Sequence, residues 1–139
     1  MRIYLASKFA LKNRVDKISK CLELDGHIIT CKWWYDDIKS MQLKNNDDKD
    51  SAWYKHPEVT KICLRDYNGV DDCDVLILIS DEEKALSFNG ANVELGYAFA
   101  RGKDIYILGK VDRNALYSIA TFCRDYKELL DNLNNQTKR

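Results

Sequence analysis

One carboxylate stands inside an apolar, glycine-punctuated run: Glu94, in SFNGANVELGYAFARGK, residues 87–103. A carboxylate in such surroundings is desolvated, which suits it to act as a nucleophile or as an acid–base group. A second acid stands out by its helical phase. Val59, Ile62, Cys63 and Val70 recur as an apolar stripe after Pro57, and Asp66 falls within it, seven residues beyond Val59. An unpaired buried carboxylate is costly, so Asp66 needs either a partner, such as backbone, Lys61 or Arg65, or a chemical task. The phase leaves both open. Asp71 and Asp72 read as solvated turn residues, and Asp74 as an acid in turn chemistry before a strand.

Two acids far apart in sequence act together only if the fold joins them. RIYLA (2–6) reads as a strand, and residues 10–24 carry Leu11, Val15, Ile18 and Leu22 at a helical period before the stop signal Asp25-Gly26. HIITCKWW (27–34) is β-rich, and 35–51 fills with charge and amide, which predicts a mobile loop. Pro57 suits the first turn of a helix running to about Val70. DVLILIS (74–80) reads as a strand buried on both faces; the Glu94 helix, a strand over 104–109, a short strand near Ile119–Phe122 and a final helix over 124–133 follow. This alternation predicts a single α/β domain over 1–139, a flavodoxin-like doubly wound parallel sheet of about five strands in order 2-1-3-4-5.

Ligands of such sheets sit beyond the carboxyl ends of the strands, where the winding reverses. The segments expected there are Ala6, Ser7, Lys8 and Phe9 after the first strand, the loop from Asp81 to Asn92 with Asn89 and Gly90, and the start of the Glu94 helix. Phe9 and Trp33 are candidates to stack on a flat ring, whereas Trp34 reads as core. Ser7 and Lys8 are candidates for a phosphate at a helix N-terminus, with a solvated lysine as the alternative. Gly90 and Gly96 are expected to permit close backbone approach, Gly96 for helix–sheet packing. Arg101 and Lys103 suit the negative end of the helix dipole.

Composition narrows the partners. The 22 basic and 22 acidic residues cancel, which removes the field that drives binding to nucleic acid or acidic membranes and leaves a small molecule as the expected partner. MRIYLASKF returns to charge too soon for a signal peptide, so the expectation is a soluble cytoplasmic protein. Cysteines 21, 31, 63, 73 and 123 are scattered with no CxxC pair, and they are expected to be reduced, buried thiols with no metal.

RIYLAS, GHIITCKWW, DYNGVDDCDVLILIS and GANVELGYAFARGK, in this order, resemble the nucleoside 2-deoxyribosyltransferases and their relatives, the 2'-deoxynucleoside 5'-monophosphate N-glycosidases. The resemblance implies that Glu94 attacks the anomeric carbon of a 2-deoxyribosyl group, that Asp66 serves the departing base, and that the Tyr4 hydroxyl holds the nucleophile. It implies a covalent deoxyribosyl ester, a 2'-deoxynucleoside or 2'-deoxynucleotide and a free nucleobase as ligands, no cofactor, and a homodimer or larger assembly in which Asn114 or Ser118 of one subunit completes the site of another. It also marks a departure: many members carry aspartate or serine six residues before the glutamate, where this chain has Phe88, and Asn89 or Asn92 are the substitutes at hand. Base transfer, hydrolysis of a nucleotide and a non-catalytic nucleotide-binding module remain open, with the lack of a basic cluster favouring a nucleoside.

Overall fold

Runs of aliphatic residues separated by helical segments pair in parallel, because each return to the sheet passes through a crossover. The computed structural model describes residues 1–36 and 51–137. The strands are β1 (Arg2–Ala6), β2 (Ile28–Ile29), β3 (Val75–Ile79), β4 (Asp104–Leu108) and β5 (Thr121–Cys123), in the order β2-β1-β3-β4-β5. Every pairing is parallel, with Ile3 opposite Val75 and Leu78 opposite Ile107. The helices are α1 (Lys12–Leu24), a single turn α2 (Ser51–Tyr54), α3 (Pro57–Asp71), α4 (Gly90–Ala100) and α5 (Tyr126–Thr137). The expected α/β class and strand order are those observed.

Side chains alternate along a strand, so each strand feeds two cores. Ile3 and Leu5 of β1 join Val75, Ile77 and Ile79 of β3 beneath α1 and α5, whose Val15, Ile18, Leu22, Leu129 and Leu133 complete that layer. Tyr4 and Ala6 point the opposite way and meet Leu76, Leu78, Val70 of α3 and Ala91, Leu95 and Ala98 of α4. Burial of each such aliphatic side chain contributes roughly 1.5–3 kcal/mol. The phase of β1 therefore puts a tyrosine on the face that also carries α3 and α4.

Several boundaries differ from the sequence reading, each for a local reason. In the β-rich 27–34 segment only Ile28 and Ile29 pair; Trp33–Tyr35 turn into a 3-10 helix that buries Trp34, whose indole N–H donates to Asp16 Oδ1 at 3.0 Å. The last strand is Thr121–Cys123, because Ile119 ends a 3-10 helix, Ala115–Ile119. The final helix starts at Tyr126, with Asp125 accepting the Glu128 N–H at 2.9 Å, and runs to Thr137. The loop expected over 35–51 lies outside the described residues except at its ends, where Tyr35 closes the 3-10 helix and Ser51 opens α2. Helix α3 begins as Pro57 predicts, with His56 Nδ1 accepting the Glu58 N–H at 3.1 Å.

Asp74 directly precedes β3, the central strand, and its carboxylate accepts the Arg2 backbone N–H of β1 at 2.9 Å. Asp71 is not a solvated turn residue: its carboxylate accepts from the Tyr97 hydroxyl at 2.8 Å and from Arg101 Nε at 3.0 Å, joining α3 to α4. Arg101 is thereby explained by an ion pair rather than by the helix dipole alone, and Lys103 donates to the Asp71 carbonyl at 2.8 Å. All five cysteines are free thiols; Cys31, Cys73 and Cys123 are buried as expected, but Cys21 on α1 is only half-buried and Cys63 on α3 is exposed. Among the described residues no helix is long and apolar enough to cross a membrane.

Candidate active site

Three elements on one side of the sheet deliver the three candidate groups. Tyr4 comes from the middle of β1, wholly buried, and its hydroxyl donates to Glu94 Oε2. Glu94 lies on the second turn of α4, whose first residues follow the loop beyond β3. Asp66 projects from α3 with 28% of its side chain exposed. Asp66 and Glu94 both line a cleft of about 560 Å³ at the carboxyl ends of β1 and β3, the point where the winding reverses.

The approach of α3 to β1 depends on a small residue. A Cβ on Gly69 would stand 2.9 Å from Cys31 Cβ and 3.0 Å from the Tyr4 ring. A larger side chain there would push the tyrosine from its place or lift the helix. Gly69 belongs to the site's support; a lone glycine inside a helical pattern was the available signal. Its carbonyl also accepts from Thr30 Oγ1 at 2.7 Å, which ties α3 to the end of β2. By contrast, a Cβ at Gly90 or Gly96 meets no protein atom within 4 Å, so neither glycine is required for packing within the chain; Gly90 lines the cleft, whereas Gly96 is exposed and does not pack on the sheet.

Burial raises the Glu94 pKa from its ordinary 4.5 to about 7, and the Asp66 charge adds to that rise; the Tyr4 hydrogen bond and the Arg65 charge oppose it. Burial first, then the charges of Glu94 and Asp66, holds the Tyr4 phenol far above its usual range, so it remains a neutral donor. Cys31, pushed up to about 12 by burial and by Asp66, is likewise a neutral thiol; its Sγ lies 3.6 Å from Asp66 Oδ1. The same oxygen accepts from Arg65 at 3.2 and 2.8 Å. Asp66 thus has the ion-pair partner that its phase allowed and also faces the cleft.

The remaining walls are aromatic and polar. Trp33 is fixed by its indole N–H, which donates to the Leu5 carbonyl at 2.6 Å. Phe9 is 36% exposed, and Lys8 Nζ sits 5.2 Å from the centre of the Phe88 ring. Ser7, Lys8, Phe9, Trp33, Asn89 and Gly90 all line the cleft. Ser7 Oγ donates to the Ile79 carbonyl at 2.7 Å, and Asn89 stands at the start of α4 without a capping bond from its side chain.

Other expected residues lie elsewhere. Ala6 is buried in the sheet. Asn92 is turned from the cleft, donating to the Phe88 carbonyl at 2.6 Å and accepting from the Tyr117 hydroxyl. Asn114 caps the 3-10 helix by accepting the Leu116 N–H at 3.0 Å, and with Ser118 it lines a separate groove beside Phe99 and Leu116. Within one chain neither reaches the Glu94 cleft. Sequence reasoning did not single out Tyr67, Ser87, Ala91 and Val93 as lining residues, and it placed Cys63 only in the helix stripe. Ser87 and Ala91 fall within the 81–92 segment expected at the site, whereas Tyr67 of α3 and Val93 of α4 carry no chemistry-bearing pattern of their own and reach the cleft only because the two helices flank it. Among the described residues no group of three His, Cys, Asp or Glu side chains could hold a metal ion.

Comparison with known proteins adds an independent line. A 2-deoxyribosyltransferase of the psychrotolerant bacterium Bacillus psychrosaccharolyticus superposes with a TM-score of 0.57 at 17% identity, covering 93% of this chain and 90% of that one. The CMP N-glycosidase BcmB of Clostridium botulinum superposes with a TM-score of 0.53 at 22% identity, over 96% and 99%. At such identities these likenesses speak for the fold alone. No curated protein sequence matches the chain. The family model for nucleoside 2-deoxyribosyltransferases, however, matches residues 3–134, which include the tyrosine, the helical aspartate and the half-buried glutamate. The chain belongs to the nucleoside 2-deoxyribosyltransferase family.

Proposed function

We propose that the protein cleaves the N-glycosidic bond of 2'-deoxyribonucleosides and transfers the sugar to a second base, with Glu94 as nucleophile. The observation that carries this reading is the buried Tyr4 hydroxyl bonded to one oxygen of Glu94, which leaves Oε1 without a partner among the described residues and open to attack C1'. In the first step the Glu94–C1' ester bond forms as the C1'–N bond breaks. The base departs with the electron pair and takes up a proton from solvent at a ring nitrogen, and the Asp66 carboxylate accepts a hydrogen bond from the N–H so formed. In the second step a nitrogen of the incoming base displaces the ester, its proton passes to solvent by way of Asp66, and the Glu94 carboxylate is regenerated. No step needs a metal or organic cofactor.

The charge of the cleft favours a nucleoside over a 5'-monophosphate. Lys8 is its one cation among the described lining residues, against the two acids Asp66 and Glu94. Its ammonium already rests over Phe88. Phe9, Trp33 and Phe88 offer aromatic surface to a flat base, and a base stacked there would shield the ester from water, which favours transfer over hydrolysis. The groove holding Asn114 and Ser118 is flanked by exposed Phe99, Leu116 and Ile119, which makes it the face on which a second copy would dock and bring those residues to a neighbouring site. The test is incubation with a 2'-deoxynucleoside, or with its 5'-monophosphate, with and without a second free base. Formation of a new nucleoside supports transfer. Release of free sugar at a yield independent of added base refutes it and leaves hydrolysis.

A further inference from the structure

Asp66 does not stand alone on α3. Consecutive helical residues do not face one another, yet Arg65 turns back and donates to Asp66 Oδ1 through Nε at 3.2 Å and through a terminal nitrogen at 2.8 Å. Its other terminal nitrogen donates to Asp36 Oδ2. Asp36 immediately follows the 3-10 helix that presents Trp33 to the cleft. One guanidinium therefore links the acid, the helix that carries it and the segment that forms an aromatic wall. Among the described residues, none bonds Asp66 Oδ2.

The charges around Glu94 give that guanidinium a second consequence. Helix α4 bears no other charged residue, and the strand residues beneath it, Leu76, Leu78, Ile105 and Ile107, are aliphatic. The groups that face Glu94 from other elements are Tyr4 of β1, Cys31 beyond β2, and Asp66 and Arg65 of α3; Lys8 stands on the wall of the cleft over Phe88. Asp71, further along α3, is engaged by Tyr97 and Arg101. Two carboxylates addressing one substrate repel each other, and Arg65 is the cation that acts on both.

We propose that Arg65, anchored on Asp36, is the positioning residue of this site: it holds Asp66 by one oxygen so that the other meets the base, and it supplies the positive charge that lets Asp66 and Glu94 share the cleft as carboxylates. The proposal rests on the roles given to Glu94 and Asp66 above. Its planar fork is what a lysine cannot reproduce, so charge and orientation are separable by experiment.

The test compares wild type, Arg65→Gln and Arg65→Lys by two readouts. The first is the titration of the Glu94 side-chain carboxyl, followed by 13C NMR in the free, folded protein. The second is kcat and KM for deoxynucleosides with good and poor leaving bases. Arg65→Gln is expected to move the Glu94 midpoint upward by roughly half a pH unit or more and to lower kcat most for poor leaving bases. Arg65→Lys is expected to leave the midpoint in place and still lose kcat selectively on poor leaving bases. A Glu94 midpoint in Arg65→Gln equal to wild type overturns the charge role, and an unchanged leaving-group dependence in both variants overturns the orienting role. Arg65→Ala replaces Arg65→Gln should the latter not fold. A wild-type protein that turns over no deoxynucleoside refutes the functional reading instead, and the titration still decides whether Arg65 acts on Glu94.

Discussion

Replacing Glu94 with glutamine keeps the shape of the side chain and an oxygen for the Tyr4 hydroxyl, but removes the charge. Because burial lifts the Glu94 pKa from 4.5 to about 7, the folded protein binds a proton there more tightly than the unfolded chain does. Between those values the native state carries more protons than the unfolded state, so stability falls as pH rises through the window. Below the unfolded value the carboxyl is neutral in both states and carries no penalty. Above the folded value the full cost is present: at about 1.4 kcal/mol per pH unit, the difference amounts to about 3 kcal/mol. Glu94→Gln should therefore match wild type near pH 4.5 to within the value of one altered hydrogen bond, about 1 kcal/mol. It should become the more stable protein by about 2–3 kcal/mol at pH 8. Urea denaturation at several pH values reads this directly, as a difference in midpoint at constant slope that grows with pH. A difference that stays flat from pH 5 to 8, or a variant that is the weaker protein at pH 8, would show that the glutamate is not a strained, desolvated carboxylate.

Two further perturbations address the support of that group. The Tyr4 hydroxyl favours the ionised form of Glu94, so Tyr4→Phe should raise the acid limb of kcat/KM from near pH 7 by about one unit, the worth of a hydrogen bond to a charged group; a limb that does not move would assign Tyr4 to packing alone. Gly69→Ala should destabilise the fold by about 1–3 kcal/mol, the usual cost of overpacking, and lower activity by displacing the Tyr4 ring; unaltered stability and activity in a pH-matched assay would refute the close approach of α3 to β1.

The centre of the sheet was legible because β3 is five consecutive aliphatic residues, a short run that suits a strand covered on both faces. Glu94 was legible for the opposite reason, as a charge where the pattern called for none. Trp33 and Trp34 were harder. Their aromatic character matched a strand, but the Asp16 carboxylate, which accepts from the Trp34 indole and the Tyr35 hydroxyl, holds a 3-10 turn instead, and no local pattern reports a partner 18 or 19 residues away. Gly69 escaped because its meaning lies in what it touches, the Tyr4 ring; Arg65 was legible as one possible partner of Asp66, but its second bond, to Asp36, depends on a residue 29 positions away. Asn92 illustrates the converse. It sits two residues before the glutamate, near enough in sequence to suggest a role, yet the helical turn between them directs it to Tyr117.

The central claim is that Glu94 becomes covalently attached to the sugar, and mass spectrometry tests it most directly. A 2'-deoxynucleoside carrying fluorine at C2' destabilises the oxocarbenium-like transition states of both steps, and with a good leaving base the ester should form faster than it is released. Digestion of the treated protein is expected to yield a peptide containing Glu94 heavier by one fluorodeoxyribosyl group, with fragmentation placing the mass on that residue and with no such adduct in Glu94→Gln. An adduct on Asp66, or turnover of unmodified substrate with no trappable ester on Glu94, would contradict the account.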